Sequence, residues 1–272
     1  MRDGRTDLYS IDADGSGLVQ LTDLPGQEYA PSWSPDGSFL AFTQLDSWNQ
    51  GDVFVMAVDG SETMNLTENP AHDCCPVWSP DSALGRGHIA FLSSRRDHGS
   101  GLLPRAHSGA YRLASLLVQP DGAGDPPAQS GIVQPPTTVL PDPPQDIYLM
   151  NADGGGLRNL TSGAGRERDP AWSPEGAAGG RRLAFVSDRD GNDEIYVMAV
   201  SDEMDSAGSG LTRLTNDPGD DSHPAWSPDG ECIAFLSHRD GAYGIYLVKP
   251  DSSGLRKLAD SDSLSREPVW SP

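Results

Sequence analysis

The sequence predicts an all-β chain, folded as a β-propeller of four-stranded antiparallel blades. Three observations predict it. The tripeptide Trp-Ser-Pro occurs five times, at Trp33, Trp78, Trp172, Trp226 and Trp270, with a unit of about 45 residues that is lengthened in the second and third intervals; a period near this value built from short strands is that of propeller blades. Each unit holds four short apolar runs separated by turn residues, the pattern of an antiparallel meander. No stretch keeps a helical 3.6-residue period, while 31 glycines and 23 prolines are scattered throughout the 272 residues, punctuating the chain into short elements.

The first run of each unit ends at the tryptophan, as in Pro224-Ala225-Trp226. The second is Leu40-Ala41-Phe42 and its equivalents Ile89-Ala90-Phe91, Leu183-Ala184-Phe185 and Ile233-Ala234-Phe235. The third opens on Asp7-Leu8-Tyr9, Asp52-Val53-Phe54, Asp146-Ile147-Tyr148, Glu194-Ile195-Tyr196 and Gly244-Ile245-Tyr246. The fourth closes the unit with Leu21-Thr22, Leu66-Thr67, Leu160-Thr161, Leu214-Thr215 or Leu258-Ala259. Asp36-Gly37, Asp59-Gly60, Asp190-Gly191, Asp229-Gly230 and Asp240-Gly241 supply the positive-φ residues that tight hairpins require. One such sheet cannot bury both faces, so the units must stack. A tryptophan filling the gap between neighbours removes roughly 150–250 Å² from water, about 25 cal/mol for each Å².

Residues 2–9 align without a gap on 189–196 and on 239–246, so the chain opens in the second half of a unit and closes, at Val269-Trp270-Ser271-Pro272, on the first strand of another. The expected organisation is a single domain over 1–272 with four complete blades and two terminal part-blades, a piece of a longer propeller. A Pro-rich insertion occupies 98–145 within the second unit, a composition suited to an excursion from a hairpin. A shorter one, Ser201 to Ser209, lengthens an outer hairpin.

A formal charge of −21 leaves no basic stripe to neutralise phosphates, which disfavours nucleic acid and an anionic membrane surface. No apolar run approaches the length of a membrane span, and the polar amino terminus carries no signal peptide. Cys74 and Cys75 are adjacent, with Cα atoms about 3.8 Å apart, below the usual disulfide separation; with Cys232 they are expected as free thiols. No Gly-x-Ser-x-Gly elbow, no paired histidines at ligand spacing and no phosphate loop occur, so catalysis, cofactors and a dedicated metal site are not expected. The Asp-rich segments 12–17 and 188–194 lack the twelve-residue calcium loop and read as turns. Asn65-Leu66-Thr67 and Asn159-Leu160-Thr161 match a glycosylation sequon but occupy the repeat's fourth strand.

The polar set that points to function lies three positions before each blade's proline: Glu28, Asp73, Glu167 and Asp221, with Ser265 in the fifth unit. Together with Asp169, His223 and Glu267, which directly precede their prolines, these side chains are expected to form an acidic rim at one mouth of the central channel. Converging charges there would focus potential on a basic peptide, a cation or a protein partner; alternatively, they cap the loops by accepting nearby backbone N–H groups.

Pro-Ala-Trp-Ser-Pro-Asp-Gly, Ile-Ala-Phe, Ser-His-Arg-Asp-Gly and Ile-Tyr, as they run from Pro224 to Tyr246, resemble the repeat of TolB-type β-propellers. The resemblance covers nearly the whole chain apart from the insertion. It implies a six-bladed parent ring, a periplasmic or otherwise extracytoplasmic location, and a non-catalytic scaffold that binds a protein or peptide partner at the channel face. Similar repeats in the propellers of prolyl-oligopeptidase-like and tricorn-like peptidases give the alternative: a substrate-gating propeller whose catalytic domain lies elsewhere. The chain departs from TolB in its long insertion and in lacking the amino-terminal α/β domain.

Overall fold

The computed structural model describes residues 6–12, 14–80, 87–95, 145–163, 165–177, 179–201, 208–260, 268 and 270. The Pro-rich insertion up to residue 144, most of the 201–209 insertion, and both Ser265 and Glu267 lie outside them.

All the regular structure among the described residues is strand. A two-stranded ribbon, β1 (Tyr9–Ser10) and β2 (Val19–Gln20), precedes four sheets. The first comprises β3 (Gln27–Trp33), β4 (Phe39–Leu45), β5 (Gly51–Ala57) and β6 (Thr63–Asn65). The second holds β7 (Asp73–Trp78), β8 (His88–Ser93), β9 (Asp146–Asn151) and β10 (Arg158–Asn159). The third holds β11 (Glu167–Trp172), β12 (Arg182–Ser187), β13 (Glu194–Ala199) and β14 (Ser209–Arg213). The fourth holds β15 (Asp221–Trp226), β16 (Ile233–Ser237), β17 (Gly244–Val248) and β18 (Arg256–Asp260). Within every sheet the strands follow chain order and pair antiparallel, as the four apolar runs predict. The β-propeller expected from the sequence is the fold.

The turn between the first two strands is built by its own side chains. Ser34 Oγ donates to Asp36 Oδ1 at 2.7 Å and accepts the Phe39 N–H at 2.9 Å; Ser227, Asp229 and Cys232 repeat the arrangement. These bonds hold the Asp36 and Asp229 carboxyls below the ordinary aspartate range. Gly37 and Gly230 follow at φ 70° and 68°, where a side chain would be strained.

The core lies between sheets. One cluster joins β-strands of the first and second sheets through Ala41, Val53, Trp78, Phe91 and Tyr148, another the second and third, and another the third and fourth through Val197, Trp226, Phe235 and Tyr246. Trp78 and Trp226 are buried, as expected. Trp33 is 48% exposed and Trp270 38%, which corrects the expectation that every repeat tryptophan is wedged between sheets. The ribbon before Trp33 supplies equivalents of outer strands, and among the described residues no innermost strand precedes it.

Candidate functional site

Each innermost strand breaks its ladder at the same place. The register shifts between Tyr29 and Ser32, Cys74 and Val77, Arg168 and Ala171, and Ser222 and Ala225. The sequence cause is the proline at 31, 76, 170 or 224, which has no N–H to give the neighbouring strand. The residue ahead of it takes a left-handed conformation: Ala30 φ 50°, Cys75 φ 58°, Asp169 φ 49° and His223 φ 54°. Such a bulge re-aims a side chain and costs of order 1–3 kcal/mol in backbone strain. Its freed N–H is taken up by the preceding sheet: Cys75 N donates to Thr43 Oγ1 at 2.8 Å, and His223 N to Asp169 Oδ2 at 3.2 Å.

Glu28, Asp73, Glu167 and Asp221 are each 0% exposed. Their placement on a solvent-facing rim is therefore corrected: they lie behind the bulge, inside the blades. The partners that hold them are side chains more than the backbone N–H groups expected of a loop cap. Arg95 Nη2 donates to Asp73 Oδ2 at 2.6 Å, Arg189 Nη2 to Glu167 Oε1 at 2.7 Å, and Arg239 Nη2 to Asp221 Oδ2 at 2.9 Å. Each guanidinium also donates from Nε to a hydroxyl closing the second strand, Ser93, Ser187 or Ser237. The same guanidinium covers two aromatic rings: Arg239 stands 5.4 Å from the Phe235 centroid and 4.7 Å from that of Tyr246, and Arg95 and Arg189 cover Phe91–Tyr148 and Phe185–Tyr196. In the first sheet Asp46 stands where the arginine would be, and Glu28 accepts the Thr22 hydroxyl at 3.1 Å.

Burial raises the Asp221 carboxyl above the ordinary range and pushes Glu167 up to about 7, against the opposing pull of Arg189 and Ser187 on Glu167. These arginines were missed in the sequence. The signal was present as Ser93-Ser94-Arg95, Ser187-Asp188-Arg189 and Ser237-His238-Arg239, but an Arg-Asp-Gly stretch reads first as a turn, and the distance in sequence from arginine to acid hides the pairing.

Asp169 and His223 are brought together at the surface. Their side chains are 35% and 32% exposed, with Asp169 Oδ2 3.9 Å from His223 Nδ1. They line a cavity of about 300 Å³ with Pro170, Ala171, Pro224, Ala225 and Pro268. The same X-Pro-Ala position of consecutive repeats thus builds the site, and the sequence neighbour of Pro268 is Glu267. Proline rings and alanine methyls supply flat apolar walls, and Asp169 and His223 supply the polar groups. Among the described residues no group of three or more His, Cys, Asp or Glu side chains is arranged to hold a metal ion. The sequon residues Asn65 and Asn159 donate to Asp52 and Asp146, and their own Oδ1 atoms accept the Thr67 and Thr161 N–H groups.

Comparison with known proteins agrees with this geometry. The family model described as the TolB beta propeller domain matches residues 179–272. These are TolB-like β-propeller repeats. A protein TolB homolog of Chlorobium luteolum is 33% identical over 128 residues, 47% of this chain and 27% of that protein. An uncharacterized peptidase, YuxL, of Bacillus subtilis is 34% identical over 125 residues, 46% of this chain and 16% of the peptidase. The crystal structure of TolB from Acinetobacter baumannii superposes with a TM-score of 0.63 at 17% identity, covering 98% of this chain and 51% of that one; at such identity the likeness is one of fold. The matched stretch spans about a quarter of the TolB homolog's length and less of the peptidase's. TolB-like repeats therefore occur here, in a chain similar both to a TolB homolog and to a peptidase.

Proposed function

We propose that this TolB-like propeller is a non-catalytic scaffold that binds a basic protein or peptide segment at its axial face, through Asp169, His223 and Glu267. The observation that carries the reading is the cavity lined by consecutive X-Pro-Ala segments, where exposed polar groups stand on apolar walls. The acids that recur at a fixed repeat position are buried, three of them against arginines, whereas the residues before the prolines differ in type from blade to blade, and Asp169 and His223 reach solvent. Glu28, Asp73, Glu167 and Asp221 act in this proposal as the posts that fix the bulges, not as contacts. The likeness to TolB supports an extracytoplasmic location in this reading, and a cation could occupy the same acidic mouth weakly.

Fluorescence polarisation with an oligoarginine peptide and its oligoglutamate counterpart tests the proposal. Preferential binding of the basic peptide, weakened by salt and lost in Asp169→Lys, is expected. Equal affinity for both peptides, or binding indifferent to Asp169→Lys, defeats it.

The 34% identity to a peptidase favours a second reading, a propeller that gates access to a catalytic domain. The surrounding reading frame decides between them: a downstream Gly-x-Ser-x-Gly with later Asp and His supports gating, and an upstream signal peptide with an α/β domain supports the TolB-type scaffold.

A further inference from the structure

We propose that Cys74 and Cys75 form a peroxide-reactive thiol pair that closes reversibly into a disulfide between adjacent residues. The repeat provides an internal control. At the two positions before the bulge proline the other sheets carry Tyr29-Ala30, Arg168-Asp169 and Ser222-His223, so the fold does not require cysteine there. In the second sheet both positions are cysteine, and both thiols are free.

The bulge brings the two sulfurs together. In a regular strand, successive side chains point to opposite faces; with Cys75 at φ 58° the alternation is broken, and Cys75 Sγ approaches Cys74 Sγ to 3.1 Å. The Cys75 backbone is pinned by its N–H bond to Thr43 Oγ1. Cys74 is buried at 5% exposure and Cys75 is half-buried, so the pair is reached by a small oxidant through Cys75. The surroundings separate the two thiols. Hydrogen bonding from Cys75 first, and from His72 and Gln145, holds the Cys74 thiol below the ordinary range, while the interaction with Cys74 and burial push Cys75 up. His72 is itself positioned by accepting the Gly51 N–H at Nδ1, 3.0 Å away. Cys74, toward whose sulfur both Cys75 Sγ and Gln145 Nε2 (3.8 Å) donate, is assigned as the nucleophile and Cys75 as the resolving thiol.

The oxidant is a hydroperoxide. The Cys74 thiolate attacks the distal peroxide oxygen, the O–O bond breaks, and with one proton taken up the products are the Cys74 sulfenic acid and water or an alcohol. The Cys75 sulfur then attacks the Cys74 sulfur; the S–O bond breaks, the Cys75 proton leaves with the hydroxyl as water, and the S–S bond forms. Two thiols lose two electrons and the peroxide gains them. Because the adjacent Cα atoms are only about 3.8 Å apart, below the usual 4.4–6.8 Å range, the product is strained and easily reduced, which makes it reversible and not a structural bridge.

Hydrogen peroxide treatment of the whole chain, followed by alkylation, digestion and mass spectrometry, tests this. The peptide holding both cysteines should lose about 2 Da and resist alkylation until dithiothreitol is added. Cys232 should react at least ~10-fold more slowly. In Cys75→Ser, dimedone should add to Cys74. The wild-type measurement stands whether or not that variant folds. The proposal is overturned if both thiols stay open to alkylation when Cys232 is oxidised, if Cys74 proceeds to sulfinic acid with Cys75 still free, or if the bond found links two chains.

Discussion

The indole Nε1–H of Trp226 donates to the carbonyl oxygen of Ala171, 55 residues earlier, at 3.1 Å. Ala171 immediately precedes Trp172, whose own Nε1–H donates to Val77 O at 3.1 Å, and Trp270 donates to Ala225 O at 3.0 Å. Each of these three tryptophans is thus bonded to the residue ahead of the preceding repeat's tryptophan. Ring burial drives the sheets together, and the directional bond sets their offset.

Trp226→Phe keeps an aromatic ring and deletes the N–H, leaving the Ala171 carbonyl without its donor. A loss of about 1–3 kcal/mol is expected, against about 3–5 kcal/mol for Trp226→Ala, which also opens a cavity. Urea midpoints of the two variants measure both; a Trp226→Phe midpoint equal to that of wild type would show that the bond contributes nothing.

Arg239→Ala leaves the Asp221 carboxylate buried without its cation and should cost about 3–5 kcal/mol. Arg239→Lys restores charge but not the planar group lying over Phe235 and Tyr246, so it should recover only part of the loss. A double-mutant cycle with Asp221→Asn checks the coupling, and strictly additive losses would dissolve the pair.

Glu167 gives the stability a pH dependence of defined sign. Its carboxyl titrates near 7 when folded, against an ordinary 4.5, so the folded chain holds a proton that the unfolded chain releases first. The stability this contributes is fully present below about 4.5 and is lost as pH rises through about 7. Glu167→Gln should remove that fall, so the difference in urea midpoint between wild type and variant should change between pH 4.5 and 7 and level off above. A constant difference across the window would place the titration elsewhere.

Thr215 closes the outer edge of the third sheet. Its Oγ1 accepts the Ile195 N–H at 2.9 Å and donates to Glu194 Oε2 at 2.6 Å. Thr215→Val preserves shape but strands a buried N–H and a buried carboxylate oxygen, at about 1–3 kcal/mol. Amide hydrogen exchange at Ile195, faster in the variant, localises the effect.

Repetition made the fold legible. A tryptophan, a Leu-Ala-Phe run and an Asp-Gly turn recurring at one spacing identify strands and hairpins, because local propensity and period agree at each. Spacing also located Glu28, Asp73, Glu167 and Asp221, yet it could not say which way they face. Acidic residues are usually exposed, and that expectation failed at Asp73, Glu167 and Asp221 because the arginine of each arrives from a turn 18–22 residues further on, and at Glu28 because the Thr22 hydroxyl meets it.

From the sequence alone came the all-β class, the four strands of each repeat, the sheet-to-sheet stacking and the position of the residue before each proline. Tertiary structure alone decided that Asp73, Glu167 and Asp221 are interior ion pairs, that Asp169 and His223 share one cavity, and that Cys74 and Cys75 meet sulfur to sulfur. The reason is physical. Strand and turn preferences act between neighbours along the chain, whereas burial, ion pairing and the direction of a bulged side chain depend on what the adjoining sheet places opposite.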